Sequence, residues 1–386
     1  MSSSASLKLA RAVRRIDVLA AERLPTQRLV ETVADELRAA MPVDALVLAA
    51  TDPDTLLGLG AGVVHGMPHA VCRPFWEYEF EVPDFNKFTD LARGPRQVAD
   101  LHAATGGRPE RSARWRELRT LMDSDAELRA TLNAGGRGWG LLHLNRAGPA
   151  RGFGAEEVAF VETIAPIVGR ALRLSLVSHP SRSAAGRGPG MAIVDGDSRL
   201  VSATPEALAW FEEMESVRRL PDPALGRDVP SEVTVAALEA RARALAGATV
   251  AATRTRARTR SGVWLLIHAS CLHDADGTAA HTAVVIEPAK ASEVAPLIVD
   301  AYELTPREVD VTRALARGLT TNEIAGELHL SRYTVQDHLK SAYEKAGVSS
   351  RGELVAKMFA DHYHDGLAGA IHHAAGASTG ATAAAA

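Results

Sequence analysis

Three capping sequences between residues 305 and 353 constrain the fold of this chain more than any other feature. Each places Ser or Thr three positions before Glu: Thr305 and Glu308, Thr320 and Glu323, Ser350 and Glu353. In such a box the two side chains satisfy each other's backbone N–H groups at a helix start. Ser331 is a further N-cap, and Gly318 and Gly347 are typical helix ends. The segment predicts four helices that begin near residues 306, 321, 332 and 351.

The second and third of these helices form a helix-turn-helix pattern. Apolar residues of the third helix share one face, which must point to the core: Val335, Leu339, Ala342 and Ala346. A helix that enters the major groove of DNA reads base edges with polar side chains near its N-terminus. The residues predicted to contact DNA are Thr321, Asn322, Ser331, Arg332, Tyr333, Thr334, Gln336, Asp337 and Lys340.

Chemistry assigns some of these contacts. Gln336 can pair with adenine, and Arg332 or Lys340 with guanine or phosphate, while the helix starts near Thr321 and Ser331 can bind phosphate. Charge opposes this prediction, because residues 303–365 hold eight Lys and Arg against ten Asp and Glu, a net of −2. Asp337 also lies on the proposed DNA face, where it repels phosphate or accepts from cytosine. We therefore expect specific binding to depend on dimerisation.

The segment LTPREVDVTRALARGLTTNEIAGELHLSRYTVQDHLKSAYEKAGVSSRGELV resembles the LuxR/NarL-type helix-turn-helix. The resemblance implies a four-helix domain, a recognition helix over 332–346 and DNA binding as a homodimer, with RNA polymerase as a further candidate partner. Three positions depart from the family pattern. Gln336 stands where lysine is most frequent, which alters the expected contact. Ala342 and Ala346 stand where larger aliphatic residues are usual.

The chain of 386 residues has room for two to four domains at roughly 100–200 residues each. The predicted division is a first domain at 7–177, a linker at 178–190, a second domain at 191–291, a linker at 292–302, the helical domain at 303–365 and a disordered Ala- and Gly-rich tail at 366–386. The order of elements in the first domain resembles a GAF domain, and that of the second resembles a PAS domain. The predicted fold class is multidomain α+β, with these two α/β sensor domains before an all-α domain.

A ligand pocket is predicted where aromatic residues alternate at strand spacing in the first domain. The candidate lining residues are Cys72, Trp76, Tyr78 and Phe80. Ordinary core packing is the alternative for the same pattern. The sequence identifies no ligand, so the small molecule is unknown.

The segment 155–177 predicts a long helix with two apolar stripes. One alternative is a helix that packs on its own domain and also on a second copy, through which a ligand or partner could reposition the DNA-binding domain. The other is a helix buried within its own domain. The pattern leaves both open.

Two further groups of residues have a functional and a plain interpretation. Arg254, Arg256, Arg258 and Arg260 would share one strand face, which could bind an anion or DNA, although a solvated sheet face is favoured. His65, His69 and Cys72 are close in sequence, but their spacing gives no second ligand pair, so a structural role is favoured. We expect no metal site, no cofactor and no catalytic residues.

Composition narrows the classes of function. Two cysteines far apart favour a reducing cytoplasm, and no apolar run reaches the ~18 residues of a membrane span. Phosphate-loop, zinc-protease and serine-hydrolase motifs are absent. These features favour a cytoplasmic transcriptional regulator that binds double-stranded DNA. The alternative is a ligand-binding scaffold, or an enzyme, whose helical C-terminal domain contacts protein only.

Overall fold

The computed structural model describes residues 3–148, 152–177, 187–222, 226–248, 252–273 and 279–355. The chain divides into two compact units, one with most of the residues up to 288 and one with most of those from 289 onward. We call them the N-terminal unit and the C-terminal unit. The N-terminal unit contains two five-stranded sheets, each with its own helices. We call these parts the first module (residues 3–177) and the second module (residues 188–288).

The first module is built on a five-stranded sheet. Its helices are α1 Ser3–Ala21, α2 Thr26–Ala40, α3 Cys72–Phe80, α4 Phe88–Arg93, α5 Leu101–Thr105, α6 Ala113–Leu121 and α7 Ala155–Val177. Its strands are β1 Ala45–Thr51, β2 Gly58–His65, β3 Val98–Asp100, β4 Ala126–Ala134 and β5 Arg137–Arg146. The strand order is β2-β1-β5-β4-β3, and neighbouring strands are antiparallel. Short 3-10 helices lie at His69–Val71 and Pro109–Arg111.

The second module has the same strand order. Its elements are β6 Gly190–Asp195, β7 Leu200–Ala203, α8 Pro205–Glu213, β8 Arg219–Asp222, β9 Arg227–Pro230, α9 Ser231–Leu245, β10 Thr253–Arg258, β11 Trp264–His273 and β12 Ala279–Pro288. The sheet runs β7-β6-β12-β11-β10, and β8 pairs with β9 in a separate hairpin. When only the strands of each five-stranded sheet are counted, both sheets therefore read 2-1-5-4-3.

The C-terminal unit is helical throughout its described residues. Its helices are α10 Ala291–Ala301, α11 Pro306–Ala316, α12 Thr321–Glu327, α13 Arg332–Ala346 and α14 Arg351–Val355. The mixed α+β fold with a helical C-terminal part confirms the predicted fold class. The segment 292–302, predicted as a linker, is helical as α10. The predicted tail at 366–386 and most of the predicted linker at 178–190 lie outside the described residues.

Helix α7 is buried within its own chain. Residues from both apolar stripes, among them Phe160, Val161, Ile164 and Leu172, are at most 4% exposed. The helix packs against α1 and α2 as well as against the sheet. Helices of the same module therefore cover α7 on the side away from the sheet. This supports the interpretation that α7 is buried within its own module, not shared with a second copy.

The predicted strand around residue 78 is wrong. Residues 72–80 form helix α3, in which Phe75 and Glu79 share the buried face one turn apart. The alternation of Trp76, Tyr78 and Phe80 is compatible with a strand locally, but packing of Phe75 against the sheet selects the helix. Trp76 and Phe80 then stack one turn apart, with ring centroids 5.5 Å from each other.

Candidate nucleic-acid interface and small-molecule cavity

The core of the C-terminal unit holds α13 by its apolar face. Val335, Leu339, Ala342 and Ala346 are at most 7% exposed. They pack with buried side chains of α11 and α12, the helices that contact α13. Burial of this face orients the opposite face of α13 away from the core.

The predicted caps fix the ends of these helices. Glu308 N donates to Thr305 Oγ1 at 3.3 Å, and Thr305 N donates back to Glu308 Oε2 at 2.7 Å. Thr320 and Glu323 form the same box, and Gly347 ends α13 in the left-handed region at φ +64°. In the third sequence the return bond to Glu353 comes from Ser349 N, one residue before the expected cap.

Hydrogen bonds and an ion pair join α13 to α11, and the sequence analysis assigned these residues no role. Lys345 Nζ donates to Glu308 Oε2 at 2.7 Å, and Ser341 Oγ donates to Glu308 Oε1 at 2.6 Å. The hydrogen bonds from Lys345, Ser341 and Thr305 lower the pKa of Glu308 to about 2. Glu308 is therefore both the capping residue of α11 and the acceptor that positions the C-terminal half of α13. The separation of these residues in sequence leaves no local signal for the contact.

The outward face of α13 carries most of the residues predicted to contact DNA. Arg332, Tyr333, Gln336, Asp337 and Lys340 are exposed, and Tyr333 is 77% exposed. No hydrogen bond or ion pair joins their side chains to other described residues. Large polar side chains without partners on an otherwise packed helix are available to an external partner.

The remaining predicted DNA contacts lie nearer the backbone. Ser331 Oγ accepts from Thr334 N at 3.0 Å and lies 2.8 Å from Thr334 Oγ1, so both hydroxyls already cap α13. Thr321 is half-buried in the first turn of α12, and Asn322 beside it is exposed. These four residues flank the exposed face of α13 and are suited to backbone contacts with DNA more than to base recognition.

A cavity in the N-terminal unit contains two of the four predicted pocket residues. It offers about 60 Å³ of water-accessible space, and Cys72 and Trp76 line it together with residues of both modules. Tyr78 and Phe80 are not among the lining residues, since Tyr78 lies on another face of α3 and Phe80 lies one turn beyond Trp76. Burial raises the pKa of the Cys72 thiol to about 11, so the thiol is protonated at neutral pH.

A buried charged cluster lies beside this cavity in the first module, and sequence reasoning did not find it. Arg129 pairs with Glu79 at 2.8 Å and with Glu127 at 3.5 Å, and Arg114 pairs with Glu127 at 2.6 Å. Although burial acts in the opposite direction, the two guanidinium groups hold the pKa of Glu127 well below its usual range. Burial lowers the pKa of His143 to about 3, so its ring is neutral where it accepts from Arg129 Nε.

The arginine-rich strand β10 does not present a solvated face, contrary to the prediction. Arg256 pairs with Asp52 at 2.9 Å and with Asp54 at 3.0 Å, both from the first module. Arg258 is 7% exposed and donates to Leu176 O at 3.0 Å. Arg254 is exposed, and Arg260 lies beyond the end of the strand. The middle of this face joins the two modules and is unavailable to DNA.

The described residues show neither a metal site nor a membrane span. No group of three His, Cys, Asp or Glu side chains in the described ranges could hold a metal ion. No helix there is both long enough and apolar enough to cross a bilayer.

Comparison with known families identifies the helical segment. Residues 302–358 match the family model described as bacterial regulatory proteins, luxR family. The spore germination protein GerE of Bacillus subtilis is 42% identical over 55 residues, which cover 14% of this chain and 74% of GerE. The chain belongs to the luxR family of bacterial regulatory proteins.

Other luxR-family relatives match over the same short length. The transcriptional regulatory protein UhpA of Escherichia coli is 48% identical over 56 residues, 14% of this chain and 29% of UhpA. YdfI of Bacillus subtilis is 45% identical over 53 residues, 25% of its length. The match spans only 6% of two mycobacterial HTH-type regulators. The luxR-family likeness therefore concerns the C-terminal unit.

Solved structures give weaker likenesses. A Vibrio cholerae VqmA dimer, described among LuxR-type receptors, is 18% identical with a TM-score of 0.21, covering 45% of this luxR-family chain and 82% of that chain. The GAF domain of a Coxiella burnetii phosphoenolpyruvate-protein phosphotransferase is 17% identical with a TM-score of 0.30, covering 44% and 95%.

Proposed function

We propose that this chain is a sequence-specific, DNA-binding transcriptional regulator that acts as a homodimer under control of its N-terminal unit. The observation that carries the proposal is the outward face of α13, where exposed side chains have no partner among the described residues. This face lies in a segment that matches the luxR family of bacterial regulatory proteins and is 48% identical to the transcriptional regulatory protein UhpA. Two copies would place two recognition helices about one DNA turn, roughly 34 Å, apart.

The exposed residues divide by the contact each can make. Gln336 can form a bidentate pair with adenine, and Arg332 with guanine. Lys340 is better suited to a phosphate, because its ammonium group is a point charge. Asp337 accepts from cytosine and repels phosphate, which sharpens selection at one position at a cost in affinity.

The test is selection from a random-sequence duplex library by the full-length protein at moderate salt. We expect enrichment of an inverted repeat. Gln336→Ala should relax specificity at one position of each half-site and cost about 1–3 kcal/mol of binding free energy on the selected site. Lys340→Ala should weaken binding to all sequences and reduce the salt dependence.

Lys8→Ala is the matched control, since Lys8 is an exposed lysine on α1. It removes the same charge at a site remote in sequence from α13 and should leave DNA affinity unchanged. Unchanged DNA affinity in the combined Tyr333, Gln336 and Lys340 alanine variant would overturn the assigned face. If the full-length protein retains no duplex at all, the result would instead favour the alternative in which the C-terminal unit contacts protein only.

Control by a small molecule is part of the same proposal and is supported by the cavity that Cys72 and Trp76 line. A ligand could change the arrangement of the two DNA-binding units only by binding one arrangement better than the other. Analytical ultracentrifugation of the full-length protein with and without selected DNA tests the homodimer, and a monomer in both conditions contradicts it.

A further inference from the structure

The cavity of the N-terminal unit is closed by both modules. The first module contributes the apolar side chains of Val47, Val64 and Leu141 from its sheet, and the second contributes Val217, Arg218 and Glu232. Its space of about 60 Å³ is several times the ~10–15 Å³ that one water molecule needs. The dimensions and the lining suit a small, largely apolar molecule.

Two contacts hold the second module against this cavity. Arg218 donates to Met67 O and, at 3.0 Å, to Pro68 O, which immediately precede the 3-10 helix His69–Val71 before α3. On the other side, β2 has glycine where the second module approaches: a Cβ at Gly62 would lie 2.9 Å from Val217 Cγ1. A larger residue at Gly62 would push the modules apart, so the wall of the cavity depends on this close approach.

Arg218 is the cation of the cavity and lacks an anion. It pairs with no carboxylate in the described residues, although Arg114, Arg129 and Arg256 of the same unit all do. Two of its five guanidinium N–H donors reach carbonyl oxygens, and the other three have no acceptor there. Partial burial lowers the pKa of Arg218, the direction expected for a cation whose charge is not fully compensated. A bound anion would supply that compensation.

Glu232 forms no ion pair with Arg218 among the described residues, and burial raises the pKa of its carboxyl. Ser216 Oγ lies 2.5 Å from Arg218 O and 2.6 Å from Glu232 Oε2. The hydroxyl has one hydrogen, and the carbonyl can only accept it. When that hydrogen is donated to Arg218 O, the contact to Glu232 is satisfied only if the carboxyl is protonated and donates to Ser216 Oγ. A neutral Glu232 would not repel an anionic ligand beside it.

We propose that this cavity binds a small apolar monocarboxylate, with its carboxylate on Arg218 and its apolar part against β1, β5 and Trp76. Such a ligand would contact both modules at once, so its binding would stabilise the closed arrangement of the modules. The proposal rests on the proposed function in that the ligand would be the signal that the regulator senses.

The test uses three matched probes on the full-length protein: phenylacetate, 2-phenylethanol and 2-phenylethylamine. Titration calorimetry should show phenylacetate binding most tightly, the alcohol more weakly by about tenfold, and the amine not at all. Quenching of Trp76 fluorescence by phenylacetate, lost in Trp76→Phe, places the probe in the cavity. Hydrogen exchange should slow in residues 64–76 and 214–235, one segment from each module.

Arg218→Met removes the charge and keeps the side-chain stem, and it should weaken phenylacetate binding by about tenfold or more while leaving 2-phenylethanol binding unchanged. Arg199→Met is the control, since Arg199 is an exposed arginine of the same module. Val235→Phe should fill the cavity and abolish binding of both probes. Circular dichroism confirms that each variant is folded.

Equal binding of the alcohol and the acid, or no effect of Arg218→Met, overturns the carboxylate assignment. Failure of all three probes at millimolar concentration overturns the site. Duplex selection with the same protein keeps these results separate from the proposed function: DNA binding without probe binding refutes only this inference, and probe binding without DNA binding refutes only the DNA-binding role.

Discussion

Glu308 and Glu232 occupy equivalent places in two different parts of the molecule. Each lies in the first turn of a helix, and they are 4% and 3% exposed. Their pKa values nevertheless move in opposite directions. Lys345 and Ser341 bind Glu308 and lower its pKa to about 2. No cation among the described residues pairs with Glu232, and burial raises its pKa.

This difference separates what local sequence determines from what tertiary contacts determine. An acidic residue in the first turn favours a helix start in both cases, because the helix dipole stabilises negative charge there. Whether the carboxyl is charged depends on a partner that sits 37 positions away for Glu308, on another helix. Helix starts are thus legible in sequence, whereas charge states are not.

The largest loss of stability is expected where the cation that pairs with a carboxyl is fully buried. Arg129→Met leaves Glu79 and Glu127 without their central partner, and it should lower the free energy of unfolding by about 3–5 kcal/mol. Urea denaturation followed by tryptophan fluorescence measures this, because all five tryptophans precede residue 289. The same substitution at Arg28, exposed and 3.7 Å from Glu31, is the control and should cost less than about 0.5 kcal/mol. Similar losses in both variants would show that the buried cluster is not a stabilising network.

A smaller effect is expected where the cation is partly exposed. Lys345→Met should destabilise the packing of α11 on α13 by about 1–3 kcal/mol, since the pKa of Glu308 would return toward its ordinary value. Because the folded-state pKa is depressed, this stabilisation is present above about pH 4.5 and is lost as pH falls toward about 2. Hydrogen exchange of residues 306–346 across this pH range measures it.

Lys340→Met serves as the control for that measurement, because Lys340 lies on the same helix, is exposed and has no partner among the described residues. It should leave exchange in α11 unchanged. A pH dependence that persists in Lys345→Met would mean that Ser341 and the cap at Thr305 are enough to lower the pKa of Glu308.

The same division explains which predictions from sequence succeeded. In the C-terminal unit, the caps at Thr305, Thr320 and Ser331 and the stop at Gly347 are local signals, and each helix begins or ends there. The outward face of α13 followed from the spacing of its apolar residues. These features needed only the period of a helix and the chemistry of its ends.

The N-terminal unit resisted the same reasoning because its decisive contacts are long-range. The aromatic alternation around Tyr78 is compatible with a strand, but burial of Phe75 and Glu79 on one face selects a helix. The local sequence of β10 predicts a solvated face, but Arg256 pairs with Asp52, which lies 204 positions earlier. Strand order is likewise a property of pairing between distant segments.

The smallest expected effect on stability concerns Glu232, the carboxyl without a cationic partner among the described residues. Glu232→Gln reproduces a protonated carboxyl: its oxygen can accept from Val217 N and its amide can donate to Ser216 Oγ. We expect the free energy of unfolding to change by less than about 1 kcal/mol at acidic pH. Since the folded-state pKa of Glu232 is raised, its stabilisation is present below about pH 4.5 and is lost as pH rises. The variant should therefore become more stable than the wild type as pH increases.

Urea denaturation of both proteins from acidic to neutral pH, followed by tryptophan fluorescence, measures the difference directly. Contributions of other groups, including Glu308, cancel because both chains contain them. The sign of the trend decides whether the folded-state pKa of Glu232 lies above or below its unfolded value. If the fold lowered the pKa of Glu232, the variant would lose stability relative to the wild type as pH rises. That result would mean that the fold lowers the pKa of Glu232, as it does that of Glu308. A charged Glu232 would then repel the carboxylate proposed to bind beside it.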